Sequence, residues 1–146
     1  MRVCGVELKG GEANICLLTL DGDVFDIPDC RQRKFAISDS NDTQQIRDFQ
    51  FAFSKLLEDY QVEQVVIQQR DQRGKWAGSA TSFKLESAIQ LIPSVETELM
   101  APTEIKAQLK KTPLYIDFRD TELKQFQEPA FVAAYAYLSK INKLKG

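Results

Sequence analysis

Arg2-Val3-Cys4-Gly5-Val6-Glu7-Leu8, the turn Lys9-Gly10-Gly11-Glu12 and the run Ala13-Asn14-Ile15-Cys16-Leu17-Leu18-Thr19-Leu20 decide how this chain folds. Two apolar runs of strand length joined by a glycine pair read as an antiparallel hairpin. A second turn, Asp21-Gly22-Asp23, leads to Val24, Phe25 and Ile27, a short third strand stopped by Pro28. The opening is therefore an antiparallel meander. Glu7 stands out in it, as the acid that closes an apolar strand just ahead of the turn.

Past residue 28 the pattern changes. Phe35–Ile37 suits a short edge strand, and Ser38-Asp39-Ser40-Asn41-Asp42 offers several helix N-caps. Ile46, Phe49, Phe53, Leu56, Leu57 and Tyr60 recur at intervals of three or four and predict a helix from Thr43 to Tyr60. Residues 62–68 read as a fourth strand, and a basic, glycine-containing loop follows from Gln69 to Gly78. A helix over 79–92 ends at Pro93, a fifth strand covers 95–101, and Pro102 opens a helix to Lys111, where proline in the first turn costs little. Residues 112–127 carry no clear period. An alanine- and aromatic-rich helix spans 128–143.

The composition excludes several chemistries. The 146 residues are 43% apolar and 27% charged, as expected of one globular domain, with a net charge of −2. Nucleic-acid binding would therefore need a local basic patch. Histidine is absent, which removes His-based triads and nearly all zinc sites. Three cysteines with no CxxC spacing suit free thiols in a reducing compartment. No apolar run approaches the roughly 20 residues of a membrane helix, and the N-terminus lacks a signal-peptide core. A cytoplasmic protein without membrane partners is expected.

The order β-β-β-α-β-α-β-α-α puts a three-strand antiparallel meander first, then two strands reached through helical crossovers, which fit parallel pairing. This is the ribonuclease-H-like α/β order, with helices on both faces and one domain over residues 1–146. The first hairpin, Val3 to Gly11, resembles that of RuvC-type Holliday-junction resolvases. Val65-Val66-Ile67-Gln68-Gln69 resembles the strand that supplies their second acid, and Glu128 through Ala136 their alanine-rich acidic helix. The resemblance implies catalytic or metal-binding roles for Glu7 and Glu128. It also exposes gaps: Gln68 stands at the second acid, and Phe131 lies where the helix would carry an acid one turn after Glu128. The whole chain resembles still more an uncharacterised bacterial family, domain of unknown function 3010. That resemblance rests on VCGVELKG at 3–10 and GKWAGSATSFKLESAIQL at 74–91. Its members usually carry an acid just before the position of Arg70, where this chain has Gln69.

In two-metal phosphodiester hydrolysis a strand-end acid bridges two divalent cations, Mg²⁺ or Mn²⁺, which take hard oxygen ligands. A glutamine carbonyl adds no negative charge to such a site. Asp71, Asp117 and Asp120 are left as acids that folding could bring near Glu7, and the plain alternative is a solvated strand-end glutamate. In the loop, Arg70, Arg73 and Lys75 set three positive charges beside Trp76, between Gly74 and Gly78. Basic side chains contact phosphate, tryptophan stacks on bases, and glycine lets a backbone approach closely. Gln68, Gln69, Arg70, Arg73, Lys75 and Trp76 are thus candidate ligand contacts; the alternative is a solvated strand–helix turn. Three functions stay open: a module binding nucleic acid or a phosphate-bearing ligand with an incomplete acidic site, an active Mg- or Mn-dependent nuclease, and a non-enzymatic protein-interaction or homodimer module built on the aromatic last helix. Whether the chain is an enzyme is undecided by its sequence.

Overall fold

In the computed structural model, residues 1–75, 77–114 and 117–145 are described, with the side chains of 143–145 left aside. β1 (Arg2–Lys9) and β2 (Glu12–Asp21) form the predicted hairpin, and β3 (Val24–Asp26) completes the meander. β4 (Lys34–Ala36) is the predicted edge strand. It pairs with residues 12–14 of β2, while β3 pairs with residues 19–21. A ten-residue strand is long enough to carry both on one edge.

α1 (Thr43–Asp59) starts at Asp42, whose side chain accepts a hydrogen bond from the Gln44 N–H. It leads to β5 (Gln64–Gln68), which lies parallel to β1. α2 (Ala80–Gln90) is capped by Ser79 and leads to β6 (Glu96–Met100), parallel to β5. α3 (Pro102–Lys111) follows. The stretch without clear period holds two short 3-10 turns, at 118–120 and 125–127, too brief to leave a periodic signal. α4 (Glu128–Lys145) follows these turns. The main sheet order is β3-β2-β1-β5-β6. The expected fold, a meander followed by two parallel strands, is therefore present.

Alternation along β1 divides the core. Cys4, Val6 and Leu8 face α1 and α2, where Phe49, Phe53, Leu56, Leu85 and Ile89 cover them. Val3 faces the opposite way, toward Phe131, Tyr135 and Leu138 of α4. Gly5 lies on this second face. A Cβ there would overlap the carbonyl oxygen of Ala130 and sit 3.0 Å from the Ala134 Cβ. Next along the sheet, Ala133 and Ala136 meet Val66 of β5. The alanines of α4 are thus small because the helix lies directly on strand backbone. Phe131 and Tyr135 are 3% exposed and turn inward, toward Phe118 and Phe25. No helix among the described residues is long and apolar enough to cross a membrane.

Candidate functional site

Glu7 ends up on the α4 side of the sheet, two residues beyond Gly5. The parallel register pairs Gly5 with Val66 and Val6 with Ile67. One step further along both strands come Glu7 and Gln68, side by side on the face that α4 covers. The first turn of α4 is fixed above this end of β1. Gln127, 2% exposed, donates from Nε2 to the Ile15 carbonyl at 2.9 Å, and its Oε1 accepts from the Lys124 N–H. Glu128 opens the helix immediately afterwards, two residues before Ala130 meets Gly5. The fold therefore gathers Glu7, Gln68 and the start of α4 in one neighbourhood.

Asn14, which no pattern in the sequence analysis singles out, completes it. It stands opposite Glu7 on β2, is 3% exposed, and donates from Nδ2 to Glu7 Oε1 at 3.3 Å. Its Oδ1 is buried without a hydrogen-bond partner among the described residues. The donor set here is one carboxylate already holding an amide, a neutral glutamine and a second carboxylate at a helix start. No group of three or more acidic or thiol side chains able to hold a metal ion forms among the described residues. Asp117 pairs with Arg119 at 2.8 Å, which keeps its carboxyl below the usual range. Asp120 lines a hollow of about 320 Å³ beside Asp26, Asp29 and Glu122. Asp71 is exposed in the basic loop. Two-metal chemistry needs several negative ligands, and this donor set does not fit a pair of divalent cations.

The basic loop divides its charges. Arg70 turns inward: its Nη2 pairs with Glu86 Oε2 of α2 at 2.8 Å, Nη1 donates to Ser82 Oγ, and the guanidinium lies 4.6 Å from the Phe83 ring centre. Both charged side chains are at most 15% exposed. Gly78 makes this possible, since a Cβ there would come within 2.6 Å of Arg70 Nη1. That glycine gives room to an internal arginine, where the sequence suggested room for a phosphate. The loop closes through the Gly78 N–H donating to the Asp71 carbonyl at 2.9 Å, and Gly74 takes a positive φ of 91°. Arg73 and Lys75 are exposed, and so is Gln69, whose N–H still pairs with the Met100 carbonyl. Trp76 lies outside the described residues.

The chain belongs to a family described as proteins of unknown function, DUF3010, which matches residues 1–137. The family expected from the opening hairpin and the 74–91 segment is thus the one found. Thermus thermophilus RuvC shares the fold, with a TM-score of 0.77 and 9% identity over 98% of this chain and 96% of that one. T. thermophilus RuvC in complex with Holliday junction substrate gives 0.72 and 10% identity over the same shares. Identities this low speak for the fold alone. Among curated proteins nothing matches.

Proposed function

We propose that the chain is a nucleic-acid-binding module of RuvC-like fold whose acidic site is too sparse for two-metal cleavage. The observation that carries this reading is the pairing at the ends of β1 and β5. Glu7 is bonded by the amide of Asn14 and stands next to Gln68. A strand-end site with one carboxylate and two neutral amides suits hydrogen-bonding recognition better than charge neutralisation of paired cations. Exposed Arg73 and Lys75, in the loop that leaves the same end of β5, offer phosphate contacts beside this site. A RuvC with a Holliday junction as its substrate shares the fold, which makes a four-way DNA junction the first ligand to try.

The test is binding of a labelled four-way junction by fluorescence anisotropy across a salt series. Binding should weaken as salt rises, and Arg73→Ala with Lys75→Ala should flatten that slope by up to about two counterions. Equal binding by the double variant and the unaltered protein would refute the role of the loop. A nuclease assay with Mg²⁺ or Mn²⁺ addresses the alternative, in which Glu7 and Glu128 hold a divalent cation. Junction cleavage that disappears in Glu7→Gln would replace the binding module by an enzyme.

A further inference from the structure

A second surface lies away from the strand ends, between α1 and α2. Its hollow, about 640 Å³, has Ile46 and Phe83 in its wall and Leu91 on its lip, and Leu91 is 73% exposed. Arg47 and Lys84 also line it, and no aspartate or glutamate does. Among the described residues Lys84 donates to neutral oxygens, the Ser40 carbonyl and Asn41 Oδ1. Arg47 has no ion pair among the described residues. It reaches into an adjoining hollow of about 450 Å³ rimmed by Phe51, also 73% exposed, and by Asp48, whose carboxylate accepts from the Gln44 amide. In a chain of net charge −2 the hollow between α1 and α2 is thus a largely apolar groove lined by two cations and no acid.

We infer that this groove docks an amphipathic, acid-bearing peptide segment of a partner protein. Apolar anchors at helical spacing would cover Leu91, Phe51 and the groove wall, while carboxylates meet Arg47 and Lys84. Two features favour this occupant. The apolar lip would gain nothing from a nucleic-acid backbone, whose affinity comes from phosphate charge. A second copy related by a twofold axis would have to meet Arg47 and Lys84 with acids of the same surface, and the lining of the hollow between α1 and α2 contains none.

The test is selection of a displayed library of random peptides against the whole chain. Enriched peptides should share apolar residues at i, i+3 or i+4 and i+7, with at least two acids between them. Arg47→Glu with Lys84→Glu should weaken them at least roughly tenfold, and Leu91→Ser should weaken them with charge intact. Circular dichroism of each variant confirms that the fold is kept. The inference is overturned if nothing is enriched, if enriched peptides lack acids, or if the charge reversal leaves binding unchanged. Sedimentation showing self-association lost in Leu91→Ser would make the face a dimer contact instead. Competition by single-stranded DNA would make it a nucleic-acid surface. Because the junction assay reads the loop after β5, failure of either proposal leaves the other standing.

Discussion

On one face of the sheet Phe35, Phe49 and Phe53 fill the space below α1, with ring centres 5.1–6.2 Å apart. On the other face α4 rests its alanines on Gly5 and Val66, and at Gly5 helix backbone meets strand backbone. Long side chains can shift rotamers when one of them changes, whereas touching backbones can yield only by moving a whole element. The rigid face also holds Glu7, Asn14 and Gln68. The part of the molecule with the least slack is thus the part that would place ligand groups.

Substitutions at the two faces sharpen this difference most strongly. Gly5→Val should cost more than about 4 kcal/mol in urea unfolding, beyond the usual overpacking range. Phe53→Ala, which only empties space on the yielding face, should cost about 3–4 kcal/mol. Should Gly5→Val unfold the chain outright, Gly5→Ala still places a Cβ against the Ala130 carbonyl and should be the costliest alanine substitution on β1. A loss below about 1 kcal/mol for Gly5→Ala would show that α4 can ride up, and the rigid-face account would fail.

A middle-sized effect is expected where the basic loop joins α2. Removing one partner of a buried ion pair strands the other charge. Arg70→Ala should therefore destabilise by about 2–3 kcal/mol, while Arg70→Met with Glu86→Leu should recover most of that loss. Thermal unfolding of the three proteins decides it. Equal stability of Arg70→Ala and the unaltered chain would mean that Arg70 is available to ligand after all, as the sequence first suggested.

These residues also mark how far the sequence could be read. The strand and helix order followed from periodicity, because each element has one apolar side that must be buried. The Asn14 contact was legible too. A two-residue turn at Gly10-Gly11 pairs Lys9 with Glu12, and counting outward sets Glu7 against Asn14. Glu86 left a signal as well: Ser82, Leu85, Glu86 and Ile89 share one helical stripe, and an acid on a buried stripe needs a partner. What the sequence could not supply was which cation answers it. Arg70 is sixteen residues away, and the loop must fold back over α2 before the two can meet. The adjacency of Glu7 and Gln68 likewise depends on a parallel pairing made across α1, which no local pattern encodes.

A small effect is expected at Glu7 itself. Glu7→Gln keeps an acceptor for the Asn14 amide, so stability should change by less than about 0.5 kcal/mol, and junction binding should be retained. A loss of binding above roughly tenfold would show that the charge of Glu7 is used, and would return a cation to the strand ends.

The least intrusive probe uses thiols already in place. Cys4 is buried on the α1–α2 face and Cys16 on the α4 face, with Cys30 half-buried at the periphery. Burial disfavours the thiolate: it raises Cys4 well above the ordinary thiol value of 9.0 and pushes Cys16 up to about 12. Burial raises Cys30 too, but it is the most accessible of the three, so at pH 8 it should react with a thiol reagent before Cys4 and Cys16. The same shifts have a thermodynamic sign. The folded state holds these protons more tightly, so their contribution is complete below the unfolded thiol pKa and is lost as pH climbs towards about 12. Denaturation midpoints should accordingly fall between pH 9 and 11 more in the unaltered chain than in Cys16→Ala. Alkylation along a urea series then compares the faces directly. Cys4 and Cys16 should become reactive together if the two faces of the sheet open in one cooperative step. Earlier labelling of Cys16 would mean that the helix lifts while the aromatic face stays closed, and the rigid face would be the weaker one.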